Sequence, residues 1–226
     1  MSESWLTPVD HYCERAGVGF WAEPLNAISN AAFILAALAA FLLWRGREER
    51  DWPGLCLIAV AFSVGIGSFL FHTLANRWSL LADVVPIGLF IYGYFYLAMR
   101  RYLGLGRVGA GLATGSFVIF NMNFGRLWFG LLSGPGLNGS VGYIPAVLAL
   151  FGVGLACLAL DRRGPGLALA GAGSVFAVSL AFRSADAAAC AAIPIGTHFL
   201  WHGLNACVLY VLMRAAILYG GRNSPA

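Results

Sequence analysis

Lysine is missing from this chain. Its 14 basic residues are all arginine, and charged residues make up only 11% of 226 positions, against about 25% in ordinary soluble domains. So little charge excludes a chain whose main solvent is water. Cysteine is scarce as well: five residues, at 13, 56, 157, 190 and 207, are too few and too dispersed for a disulfide scaffold or a cysteine-ligated zinc site. Cys56, Cys157 and Cys207 fall in apolar stretches and read as small core residues. The arginines are split among short loops with no clustered face, which sets nucleic acid aside as a partner. The alternating pattern of a membrane barrel is absent, and no internal repeat is evident. Residues 1–24 are polar and acidic rather than a basic start followed by a cleavable apolar core, so the first helix is expected to target the chain.

What the chain has in abundance is apolar length, with 60% hydrophobic residues. Crossing a hydrocarbon core of ~30 Å takes about 20 mostly apolar helical residues. Such stretches recur near 26–44, 54–73, 79–98, 108–124, 141–160, 165–183 and 195–218. Lipid cannot satisfy backbone polar groups, so each stretch must be a helix. The expected fold is all-α: a polytopic membrane protein with a bundle of seven transmembrane helices. An acidic segment at 1–25 precedes the helical domain at 26–218, and a short tail occupies 219–226. Ten arginines fall in one set of loops, and only Arg15, Arg77, Arg126 and Arg183 in the other. By the positive-inside rule the N-terminus is outside and the C-terminus cytosolic, so the net charge of +4 reflects topology. The Gly–Ala run from Gly164 to Gly173 would let helices approach closely and reads as a packing surface.

An ionisable side chain inside a span costs at least a few kcal/mol, so each one is a functional candidate. All four histidines, His11, His72, His198 and His202, fall on the outer side of this topology. His198 and His202 are spaced i, i+4, which puts both imidazoles on one helix face where two nitrogens can reach one metal. His72 closes the second span, and a third nitrogen completes the His-rich, open-position site typical of catalytic zinc. Asp83 enters the third span 11 residues later, across a connection too short to leave the outer surface. It would act as a base toward metal-activated water or orient a ligand imidazole. Ser68, one turn deeper than His72 on the same face, could hydrogen-bond a substrate oxygen. The bland alternatives are that single histidines satisfy backbone or head groups, and that Ser68 bonds back to its own helix.

These motifs resemble the alkaline ceramidases, members of a superfamily of seven-helix membrane hydrolases that includes the adiponectin-type receptors. The ordered matches are Asp10 and Cys13-Glu14; Glu23, Asn26 and Ser29-Asn30; Gly67-Ser68-Phe69-Leu70-Phe71-His72, then Asp83; Asp186 and Cys190; and His198 to His202. The resemblance implies hydrolysis of the ceramide amide to a long-chain base and a fatty acid, with zinc on His72, His198 and His202. It assigns Asp83 as the base and Ser68 as an oxyanion partner, with a lipid substrate entering laterally from the bilayer. It also pairs Cys13 with Cys190, both on the outer side where an oxidising compartment permits a bridge. It further implies a calcium site at Asp10, Glu14 and Glu23, whose oxygens are the right chemistry. Here the chain departs: His11-Tyr12 replaces a single Trp, and Ala16 stands where the family has Asn. Glu23 alternatively caps the first helix or pairs with Arg15.

The leading expectation is a zinc amidase acting on ceramide or a related N-acyl lipid. The alternatives are a phospholipase or esterase on the same scaffold, and a lipid receptor with structural zinc. Arginine without lysine, together with abundant Ala and Gly, suggests a GC-rich bacterial genome. That points to an inner membrane with the site toward the periplasm.

Overall fold

The computed structural model describes residues 4–220, and those residues form helices and loops with no strand. The helices are α1 (Pro24–Ser29), α2 (Ala31–Arg45), α3 (Trp52–Leu74), α4 (Arg77–Arg101), α5 (Arg107–Gly130), α6 (Ile144–Ala159), α7 (Arg163–Ala189) and α8 (His198–Tyr219). Two 3-10 turns, Leu137–Gly139 and Val141–Tyr143, lead into α6. Six stretches among the described residues are long and apolar enough to cross a membrane: Pro24–Arg45, α3, α4, Val141–Ala159, α7 and α8. α5 has the length, 24 residues, but carries Asn121, Asn123 and Arg126. Most of the expected tail, residues 221–226, lies outside the described residues, as do residues 1–3.

Small residues set how closely the rods approach. Ala37, Ala40, Ala61, Ala98, Ala172 and Ala216 are almost wholly buried between helices. Without a hydrophobic drive between rods in lipid, such residues allow the close contact that dispersion needs. The Gly–Ala run of α7 does form a packing surface, with Gly166, Leu169, Ala172 and Gly173 buried. Outward faces carry exposed leucine, valine and isoleucine, among them Leu35, Leu42, Leu112, Ile119, Leu155 and Val178. Apolar exposure on that scale suits lipid rather than water.

Three boundaries differ from expectation. The first span is broken at Asn30, where α1 ends and α2 begins. α7 runs on to Ala189, beyond the expected end at 183, because Ala185 and Ala187–Ala189 are strong helix formers. Arg183 therefore sits inside a helix and not in a loop. α8 starts at His198, after the expected 195, because Gly196 takes a left-handed φ of +65°. A methyl there would collide with the Asp186 carboxylate and Cys13, so glycine is required twice over.

The N-terminal segment lies across one end of the bundle. Val9 N–H donates to Ala75 O at 2.8 Å and Arg77 N–H to Thr7 O at 3.2 Å, fastening the segment to the turn between α3 and α4. Cys13 is disulfide-bonded to Cys190, with Cα atoms 5.5 Å apart across 177 residues of sequence. By the chain-entropy model a closed loop of that length stabilises the fold by about 5 kcal/mol.

Candidate metal centre

His72 is in the last turn of α3, which ends at Ala75 with φ +41°. The chain then turns at once into α4 through a capping box: Asn76 Oδ1 accepts from Ser79 N–H and Ser79 Oγ from Asn76 N–H, both at 3.1 Å. Asp83 follows one turn later. Pro86 lacks the N–H that would bond the Ala82 carbonyl, and that freed carbonyl points at Gly67, where a side chain would collide with it. A glycine at 67 is thus what lets the α3 stretch bearing Ser68 and His72 close against the α4 stretch bearing Asp83.

At the opposite wall, Asp186 sets the start of α8. Its Oδ1 accepts from Thr197 N–H at 2.7 Å and His198 N–H at 3.0 Å, and its Oδ2 accepts from Cys13 N–H at 3.0 Å. One wholly buried carboxylate therefore caps α8 and ties it to α7 and to the N-terminal segment. His198 is held at the first helical position, with His202 on the same face.

The three imidazoles meet: ligand atoms of His72, His198 and His202 lie within 4.8 Å of one another, and all three residues are buried. Their partners fix which nitrogen each presents. Glu23 Oε2 accepts from His72 Nδ1–H at 2.6 Å, leaving Nε2 buried without a partner. Ser29 donates its hydroxyl proton to Asn26 O at 3.0 Å, so its oxygen, 2.7 Å from His202 Nδ1, can only accept. That places the His202 proton on Nδ1 and the lone pair on Nε2. His198 Nδ1 has no partner in the protein. Two lone pairs aimed by neighbouring oxygens, and a third imidazole beside them, fit the donor set of a zinc ion.

Around this cluster lies a cavity of about 610 Å³. Ser68, Asp83, His198 and His202 form its polar wall, and Asp83 Oδ1 is buried and unpartnered. Ser68, His72 and Arg183 are the polar neighbours of Asp83. Arg183 donates to Asn138 O at 3.0 Å, Ser140 Oγ at 2.8 Å and Tyr12 Oη at 3.4 Å, with its guanidinium over the rings of Tyr143 and Trp201. Tyr12 stacks on His198 with centroids 3.7 Å apart. Burial pushes the Tyr12 phenol well above its ordinary range, against the opposing pull of Arg183, so Tyr12 stays neutral.

The acidic residues expected to bind calcium are engaged otherwise. Glu14 accepts from Leu25 N–H at 2.7 Å and Asn26 N–H at 2.8 Å, capping α1. Glu23 holds His72 and Asn26 on one oxygen and Arg15 Nε on the other, at 2.5 Å. Burial pushes the Glu23 carboxyl up, but the bond from His72, the Asn26 amide and the Arg15 charge outweigh it and hold it below its usual value. Asp10 is exposed at the cavity mouth. Among the described residues the three do not form a group of mutually close ligands, so they do not fit a calcium ion; the Arg15 guanidinium carries the positive charge there.

His72, His198, His202, Asp83 and Ser68 are thus brought together, and Cys13–Cys190 is bonded. Sequence reasoning missed Tyr12, whose role depends on the N-terminal segment folding back, and Arg183, which it placed in a loop. It gave Ser29 no part, and it passed over Asn205, a polar residue in the last span. No protein-family model matches this chain, and comparison with curated proteins gives no match.

Proposed function

We propose that the protein is a zinc-dependent membrane hydrolase cleaving the N-acyl amide bond of ceramide or a related lipid. One observation carries this reading: three buried imidazoles with converging ligand atoms stand beside a buried carboxylate with a free oxygen, at the polar end of an otherwise apolar cavity. His72, His198 and His202 would hold zinc, which when bound supplies a Lewis acid toward water and an acyl carbonyl. Asp83 takes the proton of the attacking water and returns it to the departing amine nitrogen, so the C–N bond breaks after the C–O bond forms. Ser68 donates to the acyl oxygen as negative charge develops on it. Glu23 and Ser29 keep His72 and His202 in the tautomers described, and Tyr12 covers His198.

A structural zinc closes its shell with a fourth protein ligand, whereas Asp83 stands outside the group of mutually close donors. That favours a catalytic over a structural metal. In this reading α5 is the seventh span, the N-terminus is outside and the C-terminus cytosolic, in keeping with the ten-to-four division of arginines. The membrane is a bacterial inner membrane with the site toward the periplasm, and substrate enters from the bilayer.

The test is bound zinc in the detergent-purified protein, together with fatty-acid release from ceramide and from a matched ester lipid, with His198→Ala as control. Zinc near one per chain and amide cleavage lost in the variant support the proposal. Zinc without release from either lipid sinks it, and ester cleavage alone keeps the site but changes the bond.

A further inference from the structure

Below the histidines the cavity changes character. Its walls become Phe90, Phe95, Val153, Phe176, Val208 and Leu212, and the Tyr94 hydroxyl there is already bonded to Tyr102 at 3.3 Å. One polar group in this depth has no partner. Asn205 is only 8% exposed and lines the cavity, and among the described residues its side chain makes no hydrogen bond to the protein. An amide at membrane depth without partners costs free energy, which argues that something polar is meant to meet it.

Its position says what. Asn205 lies about two turns beyond His198 on nearly the same face of α8, roughly 10 Å deeper than His198 and about 5 Å deeper than His202 by helix rise. The mouth of the cavity, by contrast, is polar: Asp10, His11, Tyr12, Asn138 and Arg183. An amide lipid seated with its scissile carbonyl at the histidines and the hydroxyls of its long-chain base at that mouth directs its acyl chain to the apolar depth. Asn205 then meets the first few carbons of the acyl chain. A plain methylene chain leaves its amide unpaired, whereas a hydroxyl on the second or third carbon accepts from Nδ2 or donates to Oδ1.

We infer that Asn205 makes the site selective for lipid amides whose acyl chain carries a hydroxyl on its second or third carbon. This rests on the hydrolase reading for its turnover arm but not for its binding arm. A site built to bond a hydroxyl rejects the analogue lacking it, because the buried amide is left unpaired.

The experiment compares palmitoyl, 2-hydroxypalmitoyl and 3-hydroxypalmitoyl amides of one long-chain base by kcat/KM. It also compares the three free acids by dissociation constant in one detergent. Wild type is expected to favour one hydroxylated form about tenfold in both measurements. Asn205→Leu, close in volume, should abolish or invert that ratio, and Asn205→Ser, which keeps a hydrogen-bonding group, should retain part of it. Zinc content and melting temperature verify that each variant is folded. An equal ratio in wild type and both variants overturns the inference and leaves Asn205 as a water-binding residue, as does a wild-type preference for the plain chain. If no amide is cleaved but the acids still separate and the Leu variant erases the separation, the hydrolase reading fails while the hydroxyl site stands.

Discussion

The two ends of the bundle both carry buried charge, and they treat it in opposite ways. At the arginine end, Asp51 receives both Arg101 nitrogens at 2.6 and 2.9 Å, and Arg101 also donates to Ala216 O at 3.1 Å. Trp44 Nε1 donates to Asp51 O at 2.7 Å, and Arg162 donates to Tyr102 O. The Tyr102 phenol is raised to about 12, chiefly by burial, with the Tyr94 bond and Arg101 pulling the other way, so it stays neutral. This network is closed, and its purpose is to hold α3, α4 and α8 together. At the histidine end, His72 Nε2, Asp83 Oδ1, His198 Nδ1, Asn26 Oδ1 and Asn30 Oδ1 are buried without partners, and the Asn205 amide, on the cavity wall deeper in the bundle, has none either. Evolution tolerates unpaired buried groups where a ligand completes them. Closed networks mark stability, and open ones mark function.

The contrast breaks most sharply at Asp83. Asp83→Asn keeps the shape and removes the proposed base, so the proposed hydrolysis should fall by about 10²- to 10⁴-fold. Melting temperature and zinc content should be unchanged. Loss of zinc together with folding would instead make Asp83 a structural ligand. The mirror experiment is Asp51→Ala, which strands the Arg101 charge on a side chain only 14% exposed. Breaking such a pair should destabilise the protein by about 2–3 kcal/mol in thermal or denaturant unfolding, with zinc stoichiometry unaltered. Were Asp51→Ala to abolish zinc binding while leaving stability intact, the division of labour between the ends would be wrong.

Much of this is legible in the sequence alone. Apolar length located the helices, because backbone in lipid must be helical. The cost of polar groups at membrane depth singled out His72, His198, His202 and Asp83. The same cost argument applied to Asn205 would have found it too. Other features depend on contacts far apart in the sequence. Asn30 reads as a polar interruption of an apolar run, and nothing local says that the helix is interrupted there for one residue. Arg183 becomes a site residue only because α7 extends six residues past it. Tyr12 reaches His198 only because Asp186 and the Cys190 disulfide pull the N-terminal segment over the bundle. Glu23 is held by Arg15, a pairing that was one of the alternatives open at the sequence level, and among the described residues it is not grouped with Asp10 and Glu14.

Smaller effects sharpen the comparison further. Gly67→Ala places a methyl against the Ala82 carbonyl, so α4 must move away from α3. If the proposed hydrolase reading holds, a displacement of about 1 Å between Asp83 and the histidines should lower kcat by about 100-fold while zinc content, which would depend on histidines of α3 and α8, is retained. Unchanged kcat would mean that the helices give elsewhere.

The finest test lies in the groups that aim the imidazoles. Glu23→Gln leaves a hydrogen-bonding atom beside His72 Nδ1 but removes the carboxylate that fixes its proton there, so zinc affinity, measured by chelator competition, should fall about 10- to 100-fold. Ser29→Ala removes a neutral acceptor from His202 Nδ1, and the loss should be smaller, less than about tenfold by the weaker strength of an uncharged hydrogen bond. The order of the two matters more than either value. A carboxylate partner increases the basicity of the ligand nitrogen and a hydroxyl merely orients it. If Ser29→Ala weakened zinc as much as Glu23→Gln, orientation alone would be the function of both, and the Arg15–Glu23 pair would be only a clasp for the N-terminal segment.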